Sequence, residues 1–113
     1  MNKQDTDHKG VAIAMREAVA YADGAVVSKT LLDKKAGTLT LFSFDVGQGL
    51  SEHTAPYDAT VQVIDGEAEI TIDSTTQTVR EGELIIMPAN IPHELRASKP
   101  FKMLLIMIRE KTA

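Results

Sequence analysis

Gly82-Glu83-Leu84-Ile85-Ile86-Met87-Pro88-Ala89-Asn90-Ile91-Pro92-His93 decides how the rest of the chain is read. Its branched apolar core favours extended backbone. Gly82 opens the run and Pro88 halts it, because proline has no N–H to give to a ladder. A strand over Leu84–Met87 follows. The Pro/Asn turn then delivers His93 to the start of another strand, His93–Ala97. A second stretch, Gly47-Gln48-Gly49-Leu50-Ser51-Glu52-His53, has the same construction: a glycine turn, then a short strand near Ser51–Thr54 bearing a histidine.

Outward from these two stretches the chain continues in short strands and turns. Thr38–Val46 and Val26–Leu32 are rich in β-branched and aromatic residues. Ala59–Ile64 alternates, Asp65-Gly66 reads as a tight hairpin turn, and Glu67–Ile72 reads as the returning strand. Gln77–Arg80 and Phe101–Arg109 complete the set. About nine or ten short strands with frequent turn signals predict an all-β antiparallel barrel or jelly roll. Ahead of them, Val11, Met15, Ala18 and Val19 fall near helical spacing, which predicts a short N-terminal helix over Val11–Tyr21 ending at Asp23-Gly24. Residues 1–10 read as a loose tail carrying a solvated His8, and residues 11–113 as a single domain.

Composition excludes several classes of function. The net charge is −4 and no basic patch is visible, so nucleic acid is not an expected partner. No cysteine is present, which rules out disulfides and thiolate catalysis. The longest strongly apolar run, Met103–Ile108, is too short to span a bilayer, and residues 1–10 lack the apolar core of a signal peptide. A cytoplasmic protein with no membrane partner is the expectation. No phosphate-cradling glycine loop and no nucleophile-elbow motif occurs.

The two stretches resemble the paired motifs of the cupins, a superfamily of small conserved β-barrels. Gly47, His53 and Gly66 occupy the first motif's positions, and Gly82, Pro88 and His93 the second's. Asn90 stands where the second motif has glycine, a mild change because Asn also tolerates left-handed backbone. The resemblance implies a double-stranded β-helix, and, for a chain of this length, a homodimer. It also implies a metal site of three histidines and a glutamate. Here only His53 and His93 keep ligand identities, while Ala55 and Ala59 stand at the other two positions and Ala97 replaces the closing Asn.

Two imidazoles fall short of the three or so protein ligands that hold a transition metal firmly. Asp58, Gln48, Glu52 and Gln62 are the nearby groups that could complete a shell. The resulting expectation is a weakly held divalent metal, Ni, Zn, Mn or Fe, on His53 and His93, or none. Small residues at 55 and 59 leave room for an organic guest, so the expected pocket comprises His53, Ala55, Ala59, Val61, Met87 and His93. Met87, Met103 and Met107 read as gap-filling core, with Met87 near the pocket mouth. The function expected is small-molecule binding in a degenerate two-histidine site. The alternative is a divalent-metal enzyme of the oxygenase, isomerase or decarboxylase type.

Overall fold

The computed structural model describes residues 8–110. Of the tail expected over residues 1–10, residues 1–7 therefore lie outside the described residues, and His8 is half-buried. The elements are α1 (Met15–Ala18), β1 (Val26–Lys34), β2 (Gly37–Phe44), β3 (Gly49–His53), β4 (Ala59–Ile72), β5 (Thr75–Arg80), β6 (Leu84–Met87), β7 (His93–Arg96) and β8 (Phe101–Ile108). All strand pairs are antiparallel. One face is built from β1-β2-β8-β4-β6, the other from β5-β4-β7-β3.

Strand β4 belongs to both faces and corrects the hairpin expected at Asp65-Gly66. Its first half pairs with β6 and β8, its second half with β5 and β7, and residues 59–72 run on as one strand. Asp65-Gly66 is the place where it bends. The register with β8 slips between Val63 and Asp65, and Gly66 takes a positive φ of 72°. A Cβ on Gly66 would lie 2.2 Å from the Pro100 carbonyl oxygen. The glycine thus serves a bulge and a close backbone approach, which in sequence look the same as a turn.

The helix is also shorter than its periodicity predicts. Within Val11–Tyr21 only residues 15–18 are helical, and Ala14 at the N-cap offers no side-chain hydrogen bond. An uncapped helix this short cannot hold itself, so tertiary packing decides its form. The segment lies as a strap on the outer surface of the sheet. Val19, with Ile13, Met15 and Ala18 beside it, packs on Leu31, Leu41, Ile64 and Leu104. Asp65 ties it down, accepting hydrogen bonds from Tyr21 Oη at 2.6 Å and an Arg16 guanidinium nitrogen at 3.1 Å. Burial and that carboxylate push the Tyr21 phenol up.

The main core lies between the two faces. At one end Phe44 and Phe101 stack with centroids 4.4 Å apart and are fully buried. They plug the barrel there. Phe101 opens β8 and Met107 lies near its other end, roughly 20 Å along a strand. That second end stays partly open, and His53 and His93 sit there.

Candidate functional site

His93 opens β7 and is paired in register with Ile72 of β4 on one side and His53 of β3 on the other. Its ring faces inward and is buried. His53 ends β3 and is exposed at the rim. One histidine thus forms the wall and the other the lip. The loops around them are fixed by backbone contacts. Asn90 adopts the left-handed conformation, φ 64°, and donates its N–H to the Ala55 carbonyl at 2.7 Å. The N–H of Ala89 goes to an Asp58 carboxylate oxygen at 2.8 Å. Before β3, Gly47 and Ala97 exchange hydrogen bonds with the opposite turn, Gly47 N–H to Ala97 oxygen and Ala97 N–H to Gln48 oxygen.

The ring contacts define a chemical state. His53 Nδ1 lies 2.7 Å from the Ser51 carbonyl oxygen and His93 Nδ1 lies 3.2 Å from that of Ile91. A carbonyl oxygen only accepts, so each Nδ1 carries hydrogen. Each neutral ring then presents a bare lone pair on Nε2. The two Nε2 atoms are 3.1 Å apart, with the rings edge to face at a centroid distance of 4.4 Å. Two lone pairs cannot bond to each other. The contact closes either when one ring carries its hydrogen on Nε2 and donates it to the other, or when an electron-poor guest, a shared proton or a cation, lies between the two nitrogens. A second proton is disfavoured, because burial and the neighbouring His53 push the His93 imidazole pKa down, against a small upward pull from the Ile91 carbonyl.

His53, Ala55, Ala59, Met87 and His93 line one hollow together with Leu50, Leu95, Met103, Leu105 and Met107. Val61, the sixth residue of the expected pocket, is fully buried in the core and does not line it. The hollow measures about 40 Å³, enough for a few water-sized occupants and far below the several hundred Å³ of a typical organic-ligand pocket. The space expected beside the two alanines is shared with three methionines and three leucines. Strand parity places Met103, Leu105 and Met107 on one face of β8. The alternation was visible in the sequence, but not the pairing of β8 with β4 that aims it at Ala59.

None of the four groups considered as extra ligands reaches the hollow. Asp58 is committed to Ala89. Gln48 lines a groove between the start of β3 and β7, Glu52 a crevice with Asp73 and Glu94, and Gln62 a groove under the N-terminal strap. Among the described residues no group of three or more His, Cys, Asp or Glu could hold a metal ion. The divalent centre of three histidines and a glutamate therefore does not fit this donor set.

The family assignment follows from comparison. A profile described as "Cupin domain" matches residues 40–108. The chain belongs to the cupins. A conserved protein of unknown function from Streptococcus pyogenes is 38% identical over 91% of this cupin and 90% of its own chain, with a TM-score of 0.85. A cupin 2 conserved barrel domain protein from Leptotrichia buccalis is 42% identical over 86% of this chain, with a TM-score of 0.83. This cupin spans only 47% of that longer relative. A cupin superfamily protein from Desulfitobacterium hafniense, at 24% identity and a TM-score of 0.84, shares the fold. Among curated proteins no match was found. No helix among the described residues is long and apolar enough to cross a membrane.

Proposed function

We propose that this cupin is a binding barrel that takes up a guest of one or a few heavy atoms between His53 and His93. The observation that carries the reading is the convergence of two Nε2 lone pairs at 3.1 Å, with both Nδ1 atoms already engaged. Such a pair receives an electron-poor guest and orients it toward an apolar chamber of about 40 Å³. The small volume favours an ion or a very small polar molecule over the larger organic ligands of open barrels. The alternative, a divalent-metal oxygenase, isomerase or decarboxylase, lacks two of the four family donors and finds no substitutes among the described residues. In this reading the protein is a cytoplasmic homodimer whose guest is a small solute.

A thermal-shift panel tests it, with Zn(II), Ni(II), Cu(I) and ammonium as probes. A probe present at 100 times its dissociation constant stabilises the folded state by about 2.7 kcal/mol, roughly 10 °C in a domain of this size. The shift should vanish in His53→Ala, which alters an exposed side chain and leaves the core intact. Nitrogen-15 spectra of the apo protein should show hydrogen on Nδ1 of both rings. A melt indifferent to every probe, or Nε2–H tautomers on both rings, would remove the basis of the reading.

A further inference from the structure

The register of the barrel places sulfur beside the position where the family has a carboxylate. Ala59 lies directly opposite Met87 on β6 and directly opposite Met107 on β8. Residues paired across antiparallel strands hold their Cβ atoms about 5 Å apart. Met103, two inward positions back along β8 beyond Leu105, lines the same hollow. Three of the chain's five methionines therefore share a chamber of about 40 Å³ with the two histidines.

Two properties of this donor set point the same way. Thioether sulfur is soft and imidazole borderline, whereas among the described residues no carboxylate lines the hollow. The available donors are also all neutral. A divalent ion in an apolar chamber without an anionic ligand bears a heavy desolvation cost, and a monovalent ion a smaller one. A soft monovalent d10 cation satisfies both conditions.

We infer that the hollow binds Cu(I) through Nε2 of His53 and His93 and the thioether sulfurs of Met87 and Met107. The inference rests on the reading of the histidine pair as the receptor of an electron-poor guest and names that guest. Two metal–nitrogen bonds of ~2.0–2.1 Å at a tetrahedral angle span about 3.3 Å between nitrogens. The rings need to part by only a few tenths of an ångström from their 3.1 Å separation. Met side chains have the rotamer freedom to close on the ion from the other side. Binding involves no electron transfer, since the metal is supplied already reduced.

The test is anaerobic titration of the full-length protein with Cu(I) against bicinchoninate as competing chelator, beside Zn(II) titration. One equivalent of Cu(I) is expected. A double change, Met87→Leu with Met107→Leu, keeps hydrophobic volume. It should weaken Cu(I) at least tenfold and leave any Zn(II) affinity unchanged, and X-ray absorption should lose its sulfur scatterers. Should the double variant fail to fold, the absorption spectrum of the unmodified protein decides by the presence or absence of sulfur around copper. Cu(I) binding that ignores the methionine changes, or a shell of nitrogen alone, overturns the soft-donor assignment and leaves the histidine reading standing. Loss of every probe's binding overturns both.

Discussion

At the scale of single residues, the site depends on which nitrogen of each imidazole is free. The Ser51 and Ile91 carbonyls, at 2.7 and 3.2 Å, favour the Nδ1–H tautomer of each ring. The consequence for acid stability has a definite sign. Burial and the adjacent His53 hold the His93 pKa below its ordinary value of 6.5 in the folded protein. Above the unfolded-state value both states carry a neutral His93, so its full contribution is present there. As pH falls through that value and on through the lower folded one, the unfolded chain gains the proton first and the contribution is lost. Urea melts at pH 7.5, 6.5 and 5.5 should show stability declining toward acid, and His93→Gln should flatten that decline below pH 6.5. An equal decline in His93→Gln would place the titrating group elsewhere.

At the scale of elements, the two histidine-bearing stretches were legible because turn residues bracket short strands. Strand β6 falls at Leu84–Met87 as read, and Asn90 adopts the left-handed turn that its resemblance to the motif's glycine implies. Asp65-Gly66 was not legible, since a hairpin and a bulge demand the same residue pair locally and differ only in what lies across the strand. The helix was over-read for a related reason: apolar spacing near 3.6 also suits a strap laid on an apolar sheet. The methionine lining was hidden because parity shows which side of β8 they occupy, not what faces them. Gly66 supplies the test of the bulge. Gly66→Ala meets the Pro100 carbonyl at 2.2 Å and must hold positive φ, so a loss of about 3 kcal/mol is expected. Gly24→Ala, with a similar φ of 64° and nothing within 4 Å of its added Cβ, should cost only about 1 kcal/mol. Chemical denaturation of the two variants side by side separates steric approach from backbone conformation, and equal losses would mean that the close approach at Gly66 is not tight.

At the scale of the whole molecule, the β1-β2-β8-β4-β6 face carries apolar residues on both sides. Its inner side is the core. On its outer side Leu41 and Leu104 are covered by the strap from the chain's own N-terminal region. Beyond the strap, Ile86 of β6 aligns through Thr60 with Ile106 of β8, and Ile108 lies one outward position further along. Leu84, Ile86 and Ile108 are 57%, 57% and 60% exposed, while Ile106 is half-buried. An antiparallel sheet commonly turns a polar face to water, so large apolar side chains exposed together on one face point to an interaction surface. We propose that a second copy covers it, in keeping with the homodimer that the family resemblance implies. A two-fold interface brings the same patch from each copy together, so one charged substitution enters twice. Ile86→Lys changes an exposed position and should leave monomer stability within about 0.5 kcal/mol. It should nonetheless convert a particle of twice the 12.3 kDa chain mass into one of 12.3 kDa by light scattering at micromolar concentration. An unmodified protein that already scatters as a monomer, or an Ile86→Lys protein that remains dimeric, would assign the patch no part in self-association.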